Sequence, residues 1–235
     1  MSTSSKLATK EKRDLLLLHG YLSSGKSFIF QTKFFSNYYN VYAPDLKGFG
    51  ENKGMEFPYS LDDYIDEVKE YIEKNGLKNP DVIAHSFGGR IAIKLMANDD
   101  EIFRRVVLTG SAGLKPRPTL KKTGKKIAFK VLRNFVKKER LTRFYSSDYN
   151  MLDGVMKESF KKIVSEHLDD KLKDINNEVL IVFGSNDDQT PVYMAKKLHK
   201  NIKNSKLILL PNAGHFCFID KPARFNMEVR EFLLS

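Results

Sequence analysis

The chain has 235 residues, 41% hydrophobic and 11% aromatic, enough apolar mass for one well-buried domain plus an insertion, which excludes a disordered chain. Its formal net charge is +11 and it has a single cysteine, Cys217, so no intramolecular disulfide can form and a reducing, cytoplasmic setting is expected. No stretch approaches the ~18 continuous apolar residues of a membrane span, and Met1 to Asp14 is polar, without the apolar centre of a secretory signal.

The first predicted element is a buried strand, Asp14 to Leu18, followed by His19-Gly20-Tyr21. Continuous apolar runs of this length suit parallel strands covered on both faces. The next eight residues, Gly20 to Ser27, spell Gly-x-x-x-x-Gly-Lys-Ser ahead of a predicted helix from Lys26 to Phe35. That is the sequence of a phosphate-cradling loop, so a P-loop nucleotide-binding enzyme is one reading of the chain. Such an enzyme also needs a strand ending in an acidic residue for Mg²⁺. Val41-Tyr42-Ala43-Pro44-Asp45 is the nearest candidate, and proline interrupts it.

Asp81 to Ala84 reads as a short buried strand and Arg90 to Ala97 as a helix. Between them lies His85-Ser86-Phe87-Gly88-Gly89, a serine on a turn too tight for large neighbours. A serine there projects its hydroxyl above the sheet edge, which makes Ser86 the candidate nucleophile. The following strand, Val106 to Thr109, leads to Gly110-Ser111-Ala112-Gly113 and offers no carboxylate.

From Leu114 to Asp174 the alternation of strands and helices stops, and 17 Lys/Arg stand against 8 Asp/Glu. Pro116 and Pro118 mark its entry. Ile127, Ala128, Val131, Leu132, Phe135 and Val136 fall at helical spacing, and a second amphipathic helix is predicted from Met151 to His167 with Val155, Phe160, Ile163 and Val164 on its apolar side. The segment 114–174 is therefore expected to be a basic helical insertion between core parts 1–113 and 175–235. Its charge suits a solvated face, a funnel for anionic substrates or peripheral contact with an acidic membrane. No nucleic-acid-binding module is present, so no specific nucleic acid is expected as a partner.

Alternation resumes with Val179 to Gly184, ending in Ser185-Asn186-Asp187-Asp188-Gln189-Thr190-Pro191, and with Lys206 to Leu210, ending in Pro211-Asn212-Ala213-Gly214-His215. A serine, an acid and a histidine, each at a strand end, are the three residue types that a base-activated hydroxyl needs. His215 is expected to serve as general base and then acid. Asp187 is the expected orienting carboxylate, with Asp188 its neighbouring alternative.

His19-Gly20, Ala43 to Gly50, the Ser86 turn, the Asp187 loop and the His215 loop together resemble the α/β-hydrolase superfamily across positions 14 to about 220. Ala84 departs from the glycine commonest at its position. The resemblance implies an α/β fold, a mostly parallel sheet with flanking helices, with the antiparallel strands that open the full fold missing or reduced. The insertion would be its helical cap. It also implies a serine hydrolase of the carboxylesterase or carbon–carbon bond hydrolase kind, acting on a small-molecule ester, thioester or related carbonyl substrate. Ser86, Asp187 and His215 would form the triad, the backbone N–H groups of Tyr21 and Phe87 the oxyanion hole. No metal or organic cofactor is implied, and monomer and homodimer both fit. Asp45, His19, His85 and Cys217 are expected to pack or tie loops, with no catalytic role. A non-catalytic receptor or scaffold on the same fold is the second alternative to the P-loop reading.

Overall fold

The computed structural model describes residues 12–117, 152 and 154–235. Six parallel strands form one sheet: β1 (Arg13–Leu18), β2 (Tyr39–Tyr42), β3 (Asp81–His85), β4 (Arg105–Thr109), β5 (Glu178–Gly184) and β6 (Ser205–Leu210), in the order β2-β1-β3-β4-β5-β6. The described helices are α1 (Ile29–Phe35), α2 (Leu61–Lys74), α3 (Phe87–Asn98), α4 (Gly154–Ser165), α5 (Val192–Asn201), α6 (Cys217–Asp220) and α7 (Pro222–Leu234).

The unbroken apolar strands divide their side chains between two cores. Leu16, Leu18, Val82 and Ala84 face Val68 of α2, Ile91 of α3 and Leu198 of α5, while Leu15, Leu17, Ile83 and Val107 face Phe35 of α1 and Phe225 and Val229 of α7. Helices on both faces remove most of the sheet from water, which is why these strands carry no polar alternation. α2 starts cleanly because Ser60 and Asp63 form a reciprocal capping box. At the opposite end of the sheet, the buried Asp81 carboxylate accepts from Tyr39 Oη at 2.9 Å and Arg104 Nε at 2.8 Å, tying β2, β3 and the start of β4 together.

The expected helix from Lys26 to Phe35 is in fact a 3₁₀ turn, Gly25–Phe28, followed by α1. At its start Asp45 Oδ1 accepts from the Gly25 amide at 2.7 Å, and Asp45 Oδ2 accepts from the Glu51 amide at 2.7 Å. The group a P-loop would present to phosphate is thus taken by the protein's own carboxylate. Lys26 turns outward to Glu51, at 2.6 Å.

The strand order reverses beside β1, so the loops after β1 and β3 flank a crevice at the carboxyl ends of the strands, where sheets of this kind place ligands. α4 lies over this end. Its buried face is Met156, Ser159 and Ile163, whereas Val164, expected on the apolar side, is exposed. The helix is held from below by α3. Arg90 Nη1 donates to the carbonyl oxygens of Ile163 (2.7 Å) and Glu166, and Lys94 pairs with Asp62 (2.6 Å) and Glu166 (2.7 Å). Two cations therefore meet the negative end of the α4 dipole. The first expected cap helix, around Ile127 to Val136, lies outside the described residues. No described helix is long and apolar enough to cross a membrane.

Candidate active site

Ser86 sits between the end of β3 and the first turn of α3 with φ 50° and ψ −104°. Left-handed backbone at a non-glycine residue costs of order 1–3 kcal/mol and persists only where its surroundings enforce it. Here its N–H donates to the Thr109 carbonyl (3.1 Å), and its carbonyl accepts from Arg90 N (3.2 Å) and Ala112 N (3.0 Å). The two following glycines permit the fit. A Cβ on Gly88 would collide with the Leu18 carbonyl and one on Gly89 with the Ser111 hydroxyl. Ala84, the departure from the common pattern, lies fully buried within β3 and is accommodated.

The loops after β5 and β6 bring Asp187 and His215 together. Ser185 N donates to Leu210 O and Asn186 N to Ala213 O, both at 2.9 Å, and any side chain at Gly184 would collide with the 213–214 backbone. His215 Nδ1 lies 2.9 Å from Asp187 Oδ2, and both side chains are buried. Asp187 also receives Gln189 N (2.9 Å) and Thr190 N (2.8 Å) on Oδ1 and the Thr190 hydroxyl (2.7 Å) on Oδ2. Burial alone would raise its pKa, but the His215 hydrogen bond and charge, with the Thr190 donors, hold the carboxyl below the ordinary range. With Nδ1–H directed at a carboxylate, a neutral His215 imidazole carries its lone pair on Nε2. Asp188 is exposed.

Tyr21 and Phe87 sit on adjoining segments. Their rings meet edge-on at 5.4 Å, and a Cβ built on Gly20 would lie 3.4 Å from Ser86 Cβ. The Phe87 amide belongs to the first turn of α3, where N–H groups have no intrahelical partner. The Tyr21 ring also contacts Phe160 of α4 edge-on (5.1 Å), and its hydroxyl donates to the Met156 carbonyl (3.2 Å).

His19 and His85 are both buried, and each holds backbone. His19 Nδ1–H donates to the Gly20 carbonyl (2.7 Å), while Nε2 accepts from Leu46 N (3.0 Å); burial lowers its pKa, and neither nitrogen is left for a metal. His85 Nε2–H donates to the His215 carbonyl (3.2 Å), and burial pushes its pKa down to about 3, so a neutral ring packs 4.7 Å from the His215 ring. Cys217 is buried against Thr109, and burial pushes its thiol up to about 11, which suits packing and not attack. Among the described residues, no three His, Cys, Asp or Glu side chains group as metal ligands.

Three contributors escaped the sequence reading. Thr190 and Arg90 carried no signal beyond their types. Gly110 did carry one, being a glycine just past a strand; its φ is +51°, and a Cβ there would lie 3.0 Å from the His215 carbonyl and 3.1 Å from its Nδ1. Gly110→Ala is therefore expected to displace the imidazole, lowering turnover at least tenfold and stability by about 1–2 kcal/mol. Parallel rate and urea-unfolding measurements check it, and an unchanged rate would show that His215 tolerates the intrusion.

The description "Alpha/beta hydrolase family" belongs to the family model that matches residues 15–228. An uncharacterized hydrolase, YugF, of Bacillus subtilis is 26% identical, covering 94% of this chain and 90% of its own length. A 2-hydroxymuconate semialdehyde hydrolase of Pseudomonas putida is 25% identical over 82% of this chain and 76% of its own. Among solved structures, an esterase from Exiguobacterium antarcticum superposes with a TM-score of 0.77 at 20% identity, covering 96% of this chain and 93% of that one.

Proposed function

The chain belongs to the alpha/beta hydrolase family, and on that premise we propose that it cleaves an ester, thioester or related carbonyl substrate through an acyl-enzyme on Ser86. What supports this reading is a strained Ser86 at the end of β3 together with a His215–Asp187 pair 2.9 Å apart in the loops after β5 and β6. In the proposed cycle Ser86 Oγ attacks the carbonyl carbon while its proton passes to His215 Nε2. The resulting oxyanion is held by the Tyr21 and Phe87 amides, each donor contributing roughly 3 kcal/mol. The tetrahedral adduct collapses as His215 gives the proton to the leaving group, and the bond to that group breaks. Water, deprotonated by the same nitrogen, then releases the acid and restores Ser86. Asp187 keeps the proton on Nδ1 and balances the imidazolium charge.

The rings of Tyr21, Phe87 and Phe160 beside the oxyanion segments favour an apolar acyl group. Relatives named as a 2-hydroxymuconate semialdehyde hydrolase and as a pimeloyl-[acyl-carrier protein] methyl ester esterase support testing more than one kind of carbonyl substrate. Short-chain p-nitrophenyl esters, acyl thioesters and a 1,5-diketone should therefore be assayed with wild type and Ser86→Ala. Turnover of at least one class, lost in the variant, is the expected result. Activity that survives in Ser86→Ala would refute the acyl-enzyme.

A further inference from the structure

The imidazole of His85 is buried beside Ser86, and the proposed cycle gives it no step. Three loops of the site meet around its ring. The His215 ring packs 4.7 Å from it, and the rings of Phe216 and Phe218 each lie 4.9 Å away. On the side of the loop after β1, a Cβ built on Gly20 would stand 2.9 Å from His85 Nδ1 and 3.4 Å from Ser86 Cβ. Only glycine lets the oxyanion segment close this far against the ring.

The two ring nitrogens have different surroundings. Nε2 lies 3.2 Å from the His215 carbonyl oxygen, which can only accept, so Nε2 carries the proton. Nδ1 is then an acceptor, buried and without a partner among the described residues. A buried polar atom left unpaired is costly, and a phenylalanine ring of similar shape would carry no such cost. What phenylalanine could not supply is the Nε2–H bond. Burial first, and then the charge of a protonated His215, push the His85 pKa down to about 3, against the His215 carbonyl bond and the Asp187 charge that raise it. The ring therefore stays neutral while His215 takes up and releases a proton, and it holds the His215 main chain without repelling the imidazolium.

We propose that His85 is a positioning residue for His215: its Nε2–H fixes the carbonyl of residue 215, and with it the place of the imidazole between Asp187 and Ser86. Because His85 directly precedes Ser86, the bond ties the turn that carries the nucleophile to the loop that carries the base. The role rests on the acyl-enzyme reading, in which His215 moves the proton. A base displaced by a fraction of an ångström slows turnover and leaves substrate binding unchanged.

The test compares wild type with His85→Phe, which keeps a flat ring and loses the donor, and with His85→Gln, whose amide returns a donor near the Nε2 position. Both kcat and KM are measured on the fastest substrate class, and the low-field Nδ1 proton of the His215–Asp187 pair is recorded by NMR. For His85→Phe the expected result is a kcat at least about fivefold lower, a KM within about twofold, and a broadened or lost Nδ1 proton resonance. His85→Gln should regain at least about threefold in kcat over His85→Phe and restore the resonance. Equal kcat in wild type and His85→Phe, equal losses in the two variants, a loss confined to KM, or a resonance unchanged in His85→Phe would each overturn the proposal. Should wild type turn over no substrate, the acyl-enzyme reading fails by itself, and the resonance comparison still decides the role of His85. Should His85→Phe fail to fold, nitrogen NMR of the wild-type histidines decides it: the Nε2–H tautomer is expected, and an Nδ1–H tautomer or a charged His85 ring at about pH 7 would refute the assignment.

Discussion

Ser86→Gly is expected to abolish hydrolysis and at the same time to make the protein more stable. Loss of the nucleophile should lower kcat by about a millionfold, the scale seen when a triad serine is removed. The stability gain has a separate origin. At φ 50° and ψ −104° the serine occupies backbone space that glycine enters freely, at a cost of order 1–3 kcal/mol. Glycine gives back about 0.5–1 kcal/mol in unfolded-chain entropy. The net gain is about 1 kcal/mol, or roughly 2–4 °C in Tm for a chain of this size. Ser86→Ala keeps the Cβ and the strain, so it should lose activity equally while melting close to wild type. If both variants melt alike, the turn is not strained at this residue.

Asp187→Asn is expected to cost about 10⁴ in kcat, whereas Asp188→Asn stays within about twofold of wild type. The backbone amides of Gln189 and Thr190 both point at Asp187 Oδ1, so an asparagine must place its oxygen there and its NH₂ toward His215. His215 Nδ1 would then have to accept, which moves the proton to Nε2 and leaves no base for Ser86. The same substitution changes acid stability. The carboxyl of Asp187 is held below its unfolded value, so its contribution is present above about pH 3.9 and is lost as pH falls through the folded value. Wild type should lose stability more steeply than Asp187→Asn in urea titrations from about pH 7 to about pH 3. Equal acid slopes would mean that the pair gives the fold no ionic support.

Much of this was legible in the sequence, for identifiable reasons. Apolar strands such as Leu15 to Leu18 and Val179 to Phe183 appear as unbroken runs because both faces are covered. Ser86 and His215 stand out as candidates in the sequence because each follows a predicted strand among small residues. Asp187 and Asp188 are adjacent in the sequence, and burial of the first beside an exposed second is what distinguishes them in the fold. The Lys26 to Phe35 helix came out shorter, behind a 3₁₀ turn, and the bond from the Gly25 amide to the distant carboxylate of Asp45 has no signal in local propensity. The burial of Arg90 and Lys94 beneath α4 was equally hidden, since charged side chains read as solvated until their partners, the α4 carbonyls, Asp62 and Glu166, are placed.

The central claim, an activated serine at position 86, is tested most directly by fluorophosphonate labelling followed by intact-mass analysis of wild type, Ser86→Ala and Lys26→Ala. The reagent needs no knowledge of the natural substrate. One adduct per chain in wild type and Lys26→Ala, and none in Ser86→Ala, is the predicted result. A folded wild type that takes up no label, or a Ser86→Ala variant that labels equally, would contradict it.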